Sequence, residues 1–103
     1  MEIHVFDESV NEEFIRELIE PYKDKLMELM DLVKKFDEEL SNVSSDAYLE
    51  VGLHLRHERF KPYSVDYYAI IYPNSIEVIQ EDYTDWDIEE GITRRVKLAE
   101  VYF

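Results

Sequence analysis

The chain has 103 residues, 46% of them hydrophobic and 14% aromatic, with no cysteine, three histidines and 25 acids against 11 bases, a net charge of −14. That length predicts one domain spanning residues 1–103, the apolar content excludes a disordered chain, and the missing cysteine excludes disulfides and thiolate metal sites. The charge repels nucleic acid and anionic membrane alike, and it steers the chain towards basic partners.

Glu2 to Phe6 alternates as a short strand. Ser9-Val10-Asn11-Glu12 then has the S-x-x-E form of a capping box, which predicts a helix start. From there Val10, Phe14, Leu18, Tyr22, Leu26, Leu29, Val33, Phe36 and Leu40 recur at steps of three and four, a spacing that only a helix gathers onto one face. Pro21 falls inside that run. Because the apolar phase continues through it, the spacing predicts one long helix to about Leu40, bent at Pro21, with two end-to-end helices as the lesser option. After a polar connector, Ser41 to Ser45, the residues Ala47, Leu49, Val51, Leu53 and Leu55 alternate with polar neighbours as in a half-buried strand. Val65 to Tyr72 and Ile76 to Tyr83 are further strands, joined by Pro73-Asn74-Ser75 as a hairpin turn, and Thr93 to Phe103 supplies the last. The order β-α-β-β-β-β implies an α+β fold, a mostly antiparallel sheet with the long helix packed on one face.

On a helical wheel Glu13, Glu17, Glu20, Asp24, Glu28 and Asp31 fall within about 80° of one another, directly opposite the apolar set. A helix built for stability alone alternates signs along such a line, so this one-sign stripe is a candidate binding surface. Its six carboxylates span roughly 27 Å, about one per 5 Å, a sparse imitation of the phosphates along a single nucleic-acid strand. The common alternative is a solvated face. A second acidic block covers residues 64–90, with eight acids and no base. Its richest part, QEDYTDWDIEEG at residues 80–91, adds Asp82, Asp85, Asp87, Glu89 and Glu90 as partner-binding candidates, with Tyr83 and Trp86 as aromatic anchors for an interface. Set beside the helix stripe, this block imitates a second row of phosphates.

Other chemistry is excluded or unsupported. Asp85-x-Asp87-x-Glu89 opens like a calcium loop, but Glu90 stands where glycine is required and Val96 where the closing glutamate belongs. His54 and His57 lie three apart on a predicted strand and therefore on opposite faces, a poor metal pair; with Arg56, Arg59 and Lys61 they form a small basic patch. No nucleophile motif or phosphate-cradling glycine loop occurs, so the expectation is a non-enzymatic protein with no catalytic residues, no metal and no cofactor. No apolar run is long enough to span a bilayer, and Met1-Glu2-Ile3-His4 lacks the basic start of a signal peptide, which predicts a soluble, cytoplasmic protein.

Small size, acidity and the absence of cysteine make the chain resemble in composition the DNA mimics that viruses and plasmids use against host defence, including anti-CRISPR and anti-restriction proteins. The resemblance covers no specific motif. It implies an inhibitor that presents phosphate-like charge to the basic groove of a nucleic-acid-binding protein, with no direct binding of nucleic acid. The second expectation is an immunity protein or antitoxin that neutralises a basic toxin such as a nuclease. A third is self-association as a homodimer through the strands bearing Tyr67, Tyr68 and Tyr72.

Overall fold

The computed structural model describes residues 1–47, 49–84 and 94–103. The elements follow the order β1 (Glu2–Val5), α1 (Glu12–Ile19), a 3-10 turn (Glu20–Tyr22), α2 (Lys23–Ser41), β2 (Val51–Phe60), β3 (Tyr63–Ile71), β4 (Ile76–Thr84) and β5 (Arg94–Tyr102). One five-stranded sheet in the order β1-β5-β4-β3-β2 is antiparallel throughout, and the helical run packs on one face, an α+β fold.

The helix starts two residues later than the capping box places its cap. Asn11 is the cap, its side chain accepting from the Phe14 N–H at 2.8 Å. Ser9 is already committed, because the Asp7 carboxylate accepts both its backbone N–H, at 2.9 Å, and its hydroxyl. At Pro21 the run continues from Glu12 to Ser41 as expected, but the interruption takes the form of one 3-10 turn. Proline at the start of a turn owes no N–H, and Tyr22, at φ −115° and ψ 7°, leaves helical angles before α2 begins.

The core lies between the helical run and the sheet. Ile15, Leu18, Ile19, Leu26, Met30 and Val33 are buried against Leu55 of β2, Tyr67, Ala69 and Ile71 of β3, Ile76 and Val78 of β4, and Leu98, Ala99 and Val101 of β5. Fully burying each large aliphatic side chain contributes roughly 1.5–3 kcal/mol, enough for this one layer to hold the helix down. The apolar spacing missed Ile15, Ile19 and Met30, and it included Phe36, which is 47% exposed. Val33 is the last buried residue of α2, so its final two turns run on beyond the core.

Two strand boundaries also move, for one reason. Ala47, Leu49 and Glu50, in the stretch predicted to open this strand, form no strand, because β3 ends at Ile71 opposite Val51 and leaves them nothing to pair with. Glu58 to Phe60, by contrast, extend β2 because Tyr63 to Val65 pair with them. The hairpin at Pro73-Asn74-Ser75 closes as expected, the Tyr72 N–H donating to the Ser75 carbonyl at 2.9 Å.

Candidate functional site

The acidic stripe is solvent-facing along its whole length. Glu13 and Glu17 on α1, Glu20 in the 3-10 turn, and Asp24, Glu28 and Asp31 on α2 are all exposed, on the side of the helical run away from the sheet. Its neighbouring bases do little to neutralise it. Lys25 pairs with Glu28 at 3.0 Å, and Arg16 pairs with Glu12, outside the stripe, also at 3.0 Å. Among the described residues the other five stripe carboxylates make no ion pair. A shallow depression lined by Glu20, Pro21, Lys23, Asp24, Lys25 and Glu28 marks the junction of the two helices, in the middle of the row.

The second acidic block divides. Asp85, Trp86, Asp87, Glu89 and Glu90 lie outside the described residues, as does the calcium-loop resemblance that begins at Asp85. The four described acids of the block are each engaged with a base or an imidazole. Glu77 pairs with Lys97 at 3.2 Å, Glu81 with Arg95 at 3.8 Å and Asp82 with Arg94 at 4.0 Å, all across the β4–β5 pairing. Asp66 is held by two histidines. The bases therefore come from β5, a separate stretch of the chain that carries three bases and one acid; antiparallel pairing brings the two segments side by side. Asp82 and Tyr83, adjacent in the chain, point to opposite faces of the sheet. Asp82 stands beside Val65 on the helix side and also accepts from Gln80 at 2.8 Å.

Tyr83 belongs to the helix-free face, where the strand register builds an ordered polar surface. One row across that face is His54, Tyr68, Ile79 and Lys97, and the next is His57, Asp66, Glu81 and Arg95. Both histidines reach one oxygen, Asp66 Oδ1, from His54 Nε2 at 2.9 Å and from His57 Nδ1 at 2.7 Å. A carboxylate only accepts, so each of these ring nitrogens carries its proton and donates. Burial pushes the Asp66 carboxyl up, but the hydrogen bonds from His54 and His57 outweigh it and hold the group below its ordinary range. Next to it the Tyr83 hydroxyl donates to Glu81 Oε2 at 2.9 Å. Burial first, then the bonds to Glu81 and Tyr68, push that phenol well above its ordinary value.

This arrangement corrects the expectation that His54 and His57 face opposite sides. A register shift between His54 and Arg56 inserts Leu55 as an extra residue, and one inserted residue resets the alternation, so both imidazoles emerge on the same face. Asp66, which joins them, went unnoticed as a site residue. The available signal was its position as the only charge in an otherwise uncharged strand, VDYYAIIY, at an outward position of the period-two pattern.

Among the described residues no group of three His, Asp or Glu side chains is arranged to hold a metal ion, and no helix is long and apolar enough to cross a membrane. The chain matches no protein family, no curated protein and no solved structure.

Proposed function

We propose that the protein is a non-enzymatic inhibitor that lays its acidic helical row into the basic, nucleic-acid-binding groove of another protein, in the manner of an anti-CRISPR or anti-restriction DNA mimic. One observation carries this reading. Six exposed carboxylates follow one line over two helices and a turn, and among the described residues only Glu28 is ion-paired with a base. Like charges three and four residues apart repel by a few tenths of a kcal/mol each, a stability cost that a partner's Lys and Arg would offset on binding. The described acids of β4 are already paired, so they add little to a phosphate-like field, and the row on the helices is the surface that supports mimicry.

An immunity protein or antitoxin is the alternative, favoured by a different observation. The helix-free face is a mosaic of both signs with Tyr68, Tyr83 and two histidines, the kind of surface that pairs residue by residue with one specific partner.

Capture and competition separate the two. Immobilised parent protein and its E17Q/D24N/E28Q variant are exposed to a lysate of the native host, and the retained proteins are identified by mass spectrometry. Mimicry requires a nucleic-acid-binding protein that the parent retains, that the variant loses, and that labelled DNA or RNA displaces. A partner that the variant retains equally, or that binds this protein and nucleic acid together, sinks mimicry.

A further inference from the structure

Helix α2 carries more apolar side chain than the sheet covers. Leu26, Met30 and Val33 face the core, whereas Leu32 and Phe36 are 43% and 47% exposed and Leu29 and Leu40 are half-buried. At about 100° per residue these last four fall within about 80° of one another, a second stripe turned roughly 80° from the buried one. Leu29, Leu32, Phe36 and Leu40 follow one another at steps of three, four and four, the spacing of one continuous helix face.

The charges bordering this stripe identify its occupant. Glu28, Lys35 and Glu39 run along its solvent side and Lys25 closes its N-terminal end, giving the order plus, minus, plus, minus. Read in reverse the series is minus, plus, minus, plus, so it complements its own antiparallel image and opposes its parallel one. A two-fold axis beside Leu32 sets Lys25 against Glu39 of a second copy and Glu28 against its Lys35, and each pair occurs twice by symmetry. Within the chain these charges are little used. Lys25 pairs with Glu28 at 3.0 Å, while Lys35 and Glu39 make no ion pair among the described residues.

We propose that this stripe is the seam of a homodimer in which two α2 helices pack antiparallel about Leu32. From Lys25 to Leu40 the seam is roughly 22 Å long, short for a permanent interface, so the dimer is reversible and concentration-dependent. The dimer does not depend on the function proposed above, but it bears on it. The acidic row stops at Asp31, one residue before the axis, so its antiparallel image begins where it ends, and the two rows would run end to end on the face away from the sheets as one longer row.

Sedimentation equilibrium of the full chain tests the seam. The expected mass rises from 12.4 kDa at low concentration towards twice that value as concentration increases. At concentrations where the parent is monomeric, L32S/F36S should keep its circular dichroism and most of its melting temperature, because both side chains are half exposed, and it should stay at 12.4 kDa as concentration rises. The charge order has its own test. K25E/K35E and E28K/E39K chains should each be monomeric alone and dimeric when mixed. The chain has no cysteine, so L32C gives a single reporter at the axis, and it should cross-link to itself where M27C, on another side of α2, does not. A parent mass fixed at 12.4 kDa up to about 1 mM overturns the proposal. So do an L32S/F36S chain that dimerises like the parent and charge variants that do not recombine.

Discussion

Neutralising the helical row should raise stability while lowering affinity, and the structure sets the size of the first effect. Glu13–Glu17, Asp24–Glu28 and Glu28–Asp31 are like-charge neighbours within regular α-helix, and Glu17–Glu20 and Glu20–Asp24 flank the 3-10 turn. E17Q/D24N/E28Q removes at least one member of every one of these pairs, and both members of Asp24–Glu28. Relief of roughly 0.2–0.5 kcal/mol per helical pair, with less from the two at the turn, is reduced by loss of the Lys25–Glu28 contact, leaving about 1 kcal/mol of net stabilisation. With an unfolding entropy of about 2 cal/mol/K per residue, that corresponds to a melting temperature higher by roughly 5 °C. Thermal unfolding followed by circular dichroism reads the difference at low salt. It should shrink towards zero at about 1 M salt, where the screening length falls to about 3 Å. A variant less stable than the parent, or a gain indifferent to salt, would refute the claim that these side chains repel one another in open solvent.

Three further outcomes follow from particular placements. Ile19→Ala should cost roughly 2–5 kcal/mol, since Ile19 is fully buried, whereas Phe36→Ala should cost well under half of that at concentrations where the chain is monomeric; equal losses in denaturant titrations would contradict the overhang of α2. The Asp66 carboxyl is held low in the folded state, so the stability it contributes is fully present above its unfolded pKa of about 4 and is lost as pH falls through the lower folded value. Urea titrations should therefore show Asp66→Asn less stable than the parent by about 1 kcal/mol near neutrality and the gap closing in acid, a modest figure because both histidines are half exposed; a gap that widens below about pH 4 would have the sign wrong. Gly52→Ala should be neutral or stabilising by up to about 1 kcal/mol, because a Cβ there meets only the Ala69 carbonyl at 3.6 Å and the Ile70 side chain at 3.7 Å; a loss of more than that in the same titrations would mean the strand edge is tighter than its contacts indicate.

Much of the fold is legible in local pattern. A three-and-four spacing over residues 10–40 reads as helix and period-two alternation reads as strand, because each periodicity is a property of one element and needs no knowledge of its neighbours. The acidic row is legible for the same reason: its six members share one helical run, and the side opposite a core must face water. Pro21 was visible as an interruption, although whether it bends the helix or inserts a turn is decided by the angles of Tyr22.

Tertiary structure decided whatever depends on residues far apart in the chain. Leu49 looks like a strand residue, yet it has no strand to pair with once β3 ends at Ile71; Phe36 keeps the helical phase, yet it lies past the last turn that the core covers. Insertion of β5 between β1 and β4 brings Arg94, Arg95 and Lys97 against Asp82, Glu81 and Glu77, turning part of an apparent acidic block into cross-strand pairs. One extra residue at Leu55 moves His57 to the face of His54 and gives both to Asp66. Strand order, register and bulges arise from hydrogen bonding between segments, and local periodicity holds no record of which segments meet. For this protein the sequence alone therefore determines the elements and their charge, while the partners of each charge are settled only when the sheet assembles.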